Sequence, residues 1–115
     1  MTLLVVDDDK AFLDAMRRRL KAGGITDSYA AVYANSGREA LDVLDAQHVD
    51  VVITDLMMPV VPGQEVVSRA LGMQEGPDVI VITAHPRAEI AVDMLRQGIY
   101  DYFSKPLDFD RLTLT

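Results

Sequence analysis

Polar side chains follow four apolar runs of this sequence, at the point where each run ends. The runs are Leu3–Val6, Val49–Thr54, Val79–Ile82 and Tyr100–Phe103. The polar residues that follow them are Asp7, Asp8, Asp55, Thr83 and Lys105. Short apolar runs are typical of strands covered on both faces, and the carboxyl ends of parallel strands share one edge of a sheet, where ligands bind. We therefore expect these side chains to converge, although they lie far apart in the chain.

The aspartates of this set carry a charge that must be balanced. Two unit charges about 4 Å apart repel by roughly 4 kcal/mol at an effective dielectric constant near 20. Such a cluster either holds protons or binds a cation. The sequence has no cysteine and no histidine directly at these strand ends, so the ligands are oxygens, which select Mg²⁺, with Mn²⁺ as a substitute. Three aspartates and one lysine sum to −2, and Mg²⁺ would bring the site to neutrality.

Phosphoryl chemistry fits this set of residues. Mg²⁺ with few protein ligands keeps coordination positions for water and phosphate oxygens. Lys105 and the Thr83 hydroxyl can hold further phosphoryl oxygens, and one aspartate then acts as the nucleophile that forms an acyl phosphate. Asp55 stands alone ahead of a loop, whereas Asp7 and Asp8 form a pair better suited to a metal. Spacing alone leaves the choice of nucleophile open.

The elements that position these residues alternate as strand and helix. Besides the four runs above, the patterns predict a strand at Tyr29–Ala34. They predict three helices, at Lys10–Ala22, after the Ser36/Glu39 capping box, and at Gln64–Met73. A fourth helix is predicted from a first turn at Pro86 to Gly98, with a buried stripe of Ile90, Ala91, Met94 and Leu95. This alternation indicates an α/β fold with a mainly parallel sheet and right-handed crossovers.

The end of the chain carries a weaker signal. Asp108 is placed to cap a fifth helix, but the chain stops at Thr115, so that helix would be too short to cover a sheet face well. We therefore expect a truncated fifth helix and a chain that is a fragment of a longer multidomain protein. The alternative is a natural short end whose missing cover comes from a second copy.

Composition bounds the remaining possibilities. At 115 residues, half of them hydrophobic and 25% charged, the chain is expected to form one domain over residues 1–115. It has no apolar run of about 20 residues and no signal peptide, so we expect no membrane association. The absence of cysteine fits a cytoplasmic location. A net charge of −7 argues against direct nucleic-acid binding by this domain.

Four motifs resemble those of a known family. LLVVDDD, ITDLMMP, VIVITAH and YDYFSKP, in this order and spacing, resemble the receiver domain of two-component response regulators, from about Leu3 to Leu112. The resemblance implies a flavodoxin-like, doubly wound sheet of five parallel strands in the order 2-1-3-4-5, with helices on both faces. It also implies a phosphoacceptor that takes a phosphoryl group from the phosphohistidine of a sensor histidine kinase or phosphotransfer protein and slowly hydrolyses it, rather than a turnover enzyme.

The resemblance assigns roles at the acidic cluster. Asp55 matches the phosphoacceptor, Asp8 the direct Mg²⁺ ligand, and Asp7 the neighbour that often acts through water. The backbone carbonyl of Met57 would supply another metal ligand. The side chains of Met57 and His85 stand where the family tunes the rate of acyl-phosphate hydrolysis.

The same resemblance describes a switch. Thr83 matches the switch hydroxyl, Tyr102 the aromatic that moves with it, and Lys105 the phosphate-binding lysine, whose bond to Pro106 is usually cis in the family. The surface from the fourth helix towards the fifth would then present a different face to a partner or to a second copy. Pro62 departs from the family, because many members carry Asp there, but it removes no site residue.

The output lies outside this sequence, and two further functions stay open. The stretch AVDMLRQGIYDYFSKPLDFDRL is similar to receivers of transcriptional regulators that carry an ATPase and a DNA-binding module. One alternative is a Mg²⁺-dependent phosphohydrolase with an aspartyl-phosphate intermediate, which would need a second Asp where Met57 stands. The other is a degenerate receiver used only for docking, against which the retained Asp55, Thr83 and Lys105 argue.

Overall fold

Strands and helices alternate in the computed structural model, which describes residues 1–84 and 86–105, with Ile25 as backbone only. The elements are β1 (Thr2–Val6), α1 (Lys10–Ala22), β2 (Ala30–Ala34), α2 (Gly37–Ala46), β3 (Val51–Thr54), α3 (Gly63–Leu71), β4 (Asp78–Thr83), α4 (Ala88–Gln97) and β5 (Asp101–Ser104). A 3₁₀ turn at Ile25–Asp27, which the sequence did not predict, joins α1 to β2. The expected fifth helix and its cap at Asp108 lie outside the described residues.

The five strands form one parallel sheet in the order β2-β1-β3-β4-β5. This confirms the flavodoxin-like, doubly wound fold. Successive side chains of a strand point to opposite faces, so Leu4 and Val6 of β1 join the larger core, with residues of α2, α3 and α4. Leu3 and Val5 join a second core with α1. Both faces of the central strands are therefore buried, which explains their unbroken apolar runs.

Two helices begin as their sequences predict. Asp9 caps α1, and its side chain accepts hydrogen bonds from the backbone N–H groups of Ala11 and Phe12. Ser36 caps α2 by accepting from the Glu39 N–H at 3.1 Å. The Glu39 carboxylate returns to the N–H of Asn35 at 2.8 Å, one residue before the cap. Both caps satisfy backbone donors that a helix leaves free at its start.

The fourth helix departs from its prediction. Pro86 was expected in the first turn, but α4 starts at Ala88 and has no side-chain cap at Arg87. Of the expected buried stripe, Met94 is buried, whereas Leu95 is 47% exposed. One step along a helix turns a side chain by about 100°, so Leu95 faces away from the sheet when Met94 faces it. The end is as predicted, because Gly98 terminates α4 with a φ of 115°.

Close backbone contacts hold the loop between β3 and α3. The Gly63 N–H donates to the carbonyl of Leu56 at 3.0 Å, and a Cβ at Gly63 would lie 1.8 Å from the Asp55 carbonyl oxygen. Val60 has a φ of 67°, in the left-handed region that β-branched residues rarely adopt. Glycine at position 63 thus lets the loop fold back against the backbone of Asp55 and Leu56, just after β3.

No helix among residues 1–84 and 86–105 combines the length and the apolarity needed to cross a bilayer.

We predict that Gly63→Ala lowers the free energy of unfolding by about 2 kcal/mol or more, because the added methyl group collides with backbone rather than with a side chain that can move. Urea denaturation measures this change. Gly72→Ala, at the other end of α3, is the matched control: its Cβ would meet its nearest neighbour at 3.2 Å, and we expect a change of about 1 kcal/mol or less. Equal effects of the two substitutions would contradict the close-contact explanation.

Candidate functional site at the carboxyl edge of the sheet

Backbone hydrogen bonds that continue past the strand ends bring Asp7 and Asp55 together. The Asp7 N–H donates to the Ala34 carbonyl at 3.1 Å, and the Asp55 N–H donates to the Val6 carbonyl at 3.1 Å. These bonds extend the pairings of β1 with β2 and of β3 with β1 by one residue. Both aspartates are buried, at 1% and 6% exposure. The register of the central strands therefore fixes where the two carboxylates lie.

Lys105 follows β5, at the edge of the sheet, and its side chain contacts both carboxylates. Its Nζ donates to Asp7 Oδ2 at 2.7 Å and to Asp55 Oδ2 at 3.1 Å. Its backbone N–H donates to the Thr83 carbonyl at 2.8 Å, which extends the pairing of β4 with β5. The lysine side chain is 17% exposed. A single ammonium group thus bridges two acidic side chains that are 98 and 50 residues away in sequence.

Asp8 completes an acidic cluster that opens to solvent. One carboxylate oxygen from each of Asp7, Asp8 and Asp55 lies within 4.8 Å of the other two, and Asp8 is exposed. Asp9 points elsewhere, because its carboxylate caps α1. Ligands that are all oxygen suit a hard divalent cation such as Mg²⁺. After the charge of Lys105 is counted, the cluster retains an excess of negative charge that a divalent cation would neutralise.

Both oxygens of the Asp55 carboxylate are held in place. Oδ1 accepts a hydrogen bond from the Met57 N–H at 3.0 Å, and Oδ2 accepts the bond from Lys105. Met57 itself is 60% exposed. These two hydrogen bonds therefore fix the orientation of the Asp55 carboxylate.

Burial and charge shift the pKa values of two groups here. Burial raises the pKa of Asp7 above its ordinary 3.8, although hydrogen bonds from Lys105 and the Asp9 N–H oppose this and the charge of Asp55 reinforces it. Burial alone would lower the pKa of Lys105. Hydrogen bonds and attraction from Asp7 and Asp55 together outweigh burial and raise the pKa of Lys105 above 10.5. Lys105 accordingly stays charged, whereas Asp7 carries its charge at a cost.

The residues expected to form the switch lie on β4 and β5, the two strands that follow β3 in the sheet. Thr83 ends β4, is 1% exposed, and pairs in register with Ser104. Tyr102 packs against the larger core, on the sheet face covered by α2, α3 and α4. Its hydroxyl is buried and has no hydrogen-bond partner within the described part of the chain. His85 and the bond from Lys105 to Pro106 lie outside the described residues.

One neighbour of the site was missed by sequence reasoning. The Nζ of Lys105 lies 4.3 Å from the centroid of the Phe12 ring. Phe12 belongs to α1 and packs against the core that this helix covers. The sequence did place Phe12 in the first turn of α1, which begins at the same sheet edge as the aspartates. That position could have indicated that its ring lies near the site. Apolar periodicity alone gives no sign that the ring also meets a cation.

Comparisons with known proteins identify the family. A family model described as the response regulator receiver domain matches residues 3–115. The chain is 39% identical over 110 residues to the transcriptional regulatory protein GlrR of Escherichia coli (strain K12), an alignment that covers 96% of this chain and 24% of that protein. The chain therefore belongs to the response regulator receiver domain family of two-component systems. It spans about a quarter of the length of the first curated relatives that it matches.

Solved structures agree with this assignment. The receiver domain of the Francisella response regulator 1452 superposes with a TM-score of 0.82 at 28% identity, covering 95% of this chain and 87% of that one. A response regulator from Burkholderia pseudomallei, solved with a phosphorylated aspartic acid, a calcium ion and citrate, gives a TM-score of 0.81 at 25% identity, covering 95% and 62%. Fold and family thus point to the same class of signalling domain.

The raised pKa of Asp7 predicts a pH-dependent effect of Asp7→Asn. As the pH rises from 3.8 through the higher pKa of the folded state, the unfolded chain loses the Asp7 proton first, so the wild type loses stability. Asn carries no charge and is spared this loss. We expect the unfolding free energy of Asp7→Asn, relative to wild type, to increase with pH across this window and then stay level to neutrality.

Urea denaturation in EDTA at a series of pH values measures this difference. Asp50→Asn is a control for which the stability difference should change with pH in the opposite direction. The hydrogen bond from the Thr2 N–H lowers the pKa of Asp50 below 3.8, so its relative stability should decrease as the pH rises towards that value. A flat or falling difference for Asp7→Asn would contradict the burial cost assigned to this carboxylate.

Proposed function

We propose that Asp55 is the phosphoacceptor of this receiver domain. The observation that carries the proposal is the environment of its carboxylate, which Lys105 and the Met57 N–H hold from two sides next to Asp7 and Asp8. In the proposed reaction, a carboxylate oxygen of Asp55 attacks the phosphorus atom, and the bond between phosphorus and the donor imidazole nitrogen breaks. The imidazole leaves with its electron pair, and Asp55 carries an acyl phosphate.

The acidic cluster would hold the Mg²⁺ ion that this transfer requires. Asp8 and Asp55 are the proposed direct ligands, together with the Met57 carbonyl, and Asp7 acts next to them through water. Bound Mg²⁺, or Mn²⁺ in its place, supplies positive charge that neutralises the oxygens of the transferring phosphoryl group. The exposure of Asp8 and the burial of Asp7 support this division of roles.

Lys105 and Thr83 would hold the phosphoryl oxygens once the group is attached. Lys105 already donates a hydrogen bond to Asp55 Oδ2, and its backbone N–H donates to the Thr83 carbonyl. A phosphoryl group adds close to two negative charges and three acceptor oxygens. Both residues are therefore placed to respond to phosphorylation with a small movement of the β4 and β5 ends.

We propose that this movement reaches partners through the α4–β5 surface. Tyr102 links the strand that carries Lys105 to the core beneath α4. Its hydroxyl is buried without a hydrogen-bond partner among the described residues, which costs free energy. In this proposal the Tyr102 side chain changes position when Thr83 moves. Val92, Leu95 and Tyr100 are exposed apolar residues on α4 and just before β5, and they support a homodimer through this face towards the fifth helix.

The whole protein is proposed to be a longer cytoplasmic regulator. The chain spans about a quarter of several relatives named as transcriptional regulatory proteins, which supports a covalently linked output domain that controls transcription. The donor would be a sensor histidine kinase or a phosphotransfer protein. Within such a protein this domain acts as a switch that phosphorylates itself once per signal and is not a turnover enzyme.

Incubation with acetyl phosphate and Mg²⁺ tests the assignment of Asp55. We expect intact-mass spectrometry to show one added phosphoryl group, and no addition in Asp55→Asn or when EDTA replaces Mg²⁺. Asp93→Asn, on the surface of α4, is the matched control and should react like the wild type. Phosphorylation of Asp55→Asn would contradict the assignment. No reaction of the wild type would favour a docking receiver, and many turnovers of a generic phosphate ester would favour a phosphohydrolase.

Met57→Asn tests the proposed control of hydrolysis. The exposed thioether side chain of Met57 stands next to Asp55 and limits the access of water, whereas an amide can orient a water molecule towards the phosphorus atom. We expect Asn to shorten the lifetime of the phosphoryl group severalfold, as followed by intact mass after the donor is removed. Met57→Leu should retain the wild-type lifetime. An unchanged lifetime in Met57→Asn would rule this role out.

A further inference from the structure

Among residues 1–84 and 86–105, the ammonium group of Lys105 contacts an aromatic ring as well as two carboxylates. Asp7 Oδ2 and Asp55 Oδ2 accept its hydrogen bonds at 2.7 and 3.1 Å. The Phe12 ring approaches it as well, with 4.3 Å between Nζ and the ring centroid. A cation at this distance over an aromatic face is attracted by the ring quadrupole, and more strongly where water is excluded. Phe12 therefore contacts the same charge as the two carboxylates.

Phe12 is fixed to the site through its backbone as well as through its ring. Asp7 Oδ1 accepts a hydrogen bond from the Asp9 N–H at 2.9 Å. The Asp9 side chain in turn accepts from the Phe12 N–H at 3.3 Å. Because Lys105 bonds the other oxygen of Asp7, the four residues form a closed circuit of contacts. The start of α1 cannot shift without moving the ring relative to the ammonium group.

We propose that Phe12 is a positioning residue that holds the Lys105 ammonium group against the phosphoacceptor. This inference rests on the proposed function of Asp55 and Lys105. When Asp55 is phosphorylated, Lys105 exchanges a carboxylate oxygen for a phosphoryl oxygen, and the ring keeps the ammonium group at the site during the exchange. Without the ring, water replaces it and Lys105 samples more positions.

Substitutions at Phe12 separate this role from packing. Phe12→Leu keeps an apolar side chain but removes the quadrupole, and we expect the rate of phosphorylation by acetyl phosphate to fall about threefold to tenfold. The loss should appear in the maximal rate rather than in the donor concentration that gives half of it. Phe12→Tyr retains an aromatic face and should restore most of the rate.

A second cation–aromatic pair, between α1 and β2, supplies the control. Arg17 lies over the Tyr33 ring at 4.3 Å, the same distance as in the Lys105 pair, and Tyr33 packs against the same core as Phe12. Tyr33→Leu removes a ring from that core without touching Lys105, so it should phosphorylate at close to the wild-type rate. An equal loss in Tyr33→Leu and Phe12→Leu would overturn the proposal.

Fluorinated phenylalanines at position 12 give a graded test that leaves the shape of the core intact. Each added fluorine weakens the negative face of the ring, so the phosphorylation rate should fall stepwise from Phe to trifluoro-Phe. A rate that does not follow the fluorine series, or a Phe12→Tyr variant as slow as Phe12→Leu, would show that the ring only packs.

NMR of the unphosphorylated protein tests the placement by itself. The chain has three lysines, Lys10, Lys21 and Lys105, so ¹³C-lysine labelling gives a simple spectrum. The ring current of Phe12 should move the Lys105 ε-CH₂ protons upfield, and Phe12→Leu should abolish the shift. An unshifted signal would overturn the inference. This measurement needs no phosphorylation, so its failure is distinct from failure of the proposed function.

Discussion

The geometry of the site depends on one positive charge, the largely buried ammonium group of Lys105. Lys105 reaches across the sheet edge to two carboxylates, from Asp7 and Asp55, whose side chains are 1% and 7% exposed. Two carboxylates this close and this buried would repel each other strongly if no positive charge lay between them. The ammonium group offsets that repulsion, although desolvation of all three charges consumes much of the gain. The contact therefore sets the geometry of the site more than it stabilises the fold.

The single positive charge of Lys105 does not neutralise all three carboxylates, and the negative charge that remains determines what the site can bind. Asp7, Asp8 and Asp55 share one lysine, so negative charge is left at the sheet edge. Negative charge at this edge attracts a divalent cation and repels an anionic phosphoryl donor, and Asp8 is the carboxylate of the cluster that is exposed to solvent. The strands next to it, β1, β3 and β4, are almost entirely buried.

The elements of the fold were predictable where local signals are strong. The helix α1 has the predicted bounds, because Asp9 caps it and Gly23 follows it. The apolar runs of β1, β3 and β4 mark strands with both faces covered. Prediction was wrong at α4, whose start carries no side-chain cap and whose exposed Leu95 has the same apolar character as buried Met94. An exposed apolar side chain and one buried in the core are indistinguishable by hydropathy alone.

By itself, the sequence determined which residues stand at the carboxyl ends of the strands, and therefore which could meet. The strand order came only from family resemblance, since periodicity does not specify which strands are neighbours. Tertiary structure alone decided that one ammonium group serves both Asp7 and Asp55, and that the ring of Phe12 covers it. The physical reason is that these contacts join residues 50 to 98 positions apart. Their distances follow from register and helix placement, which no local pattern encodes.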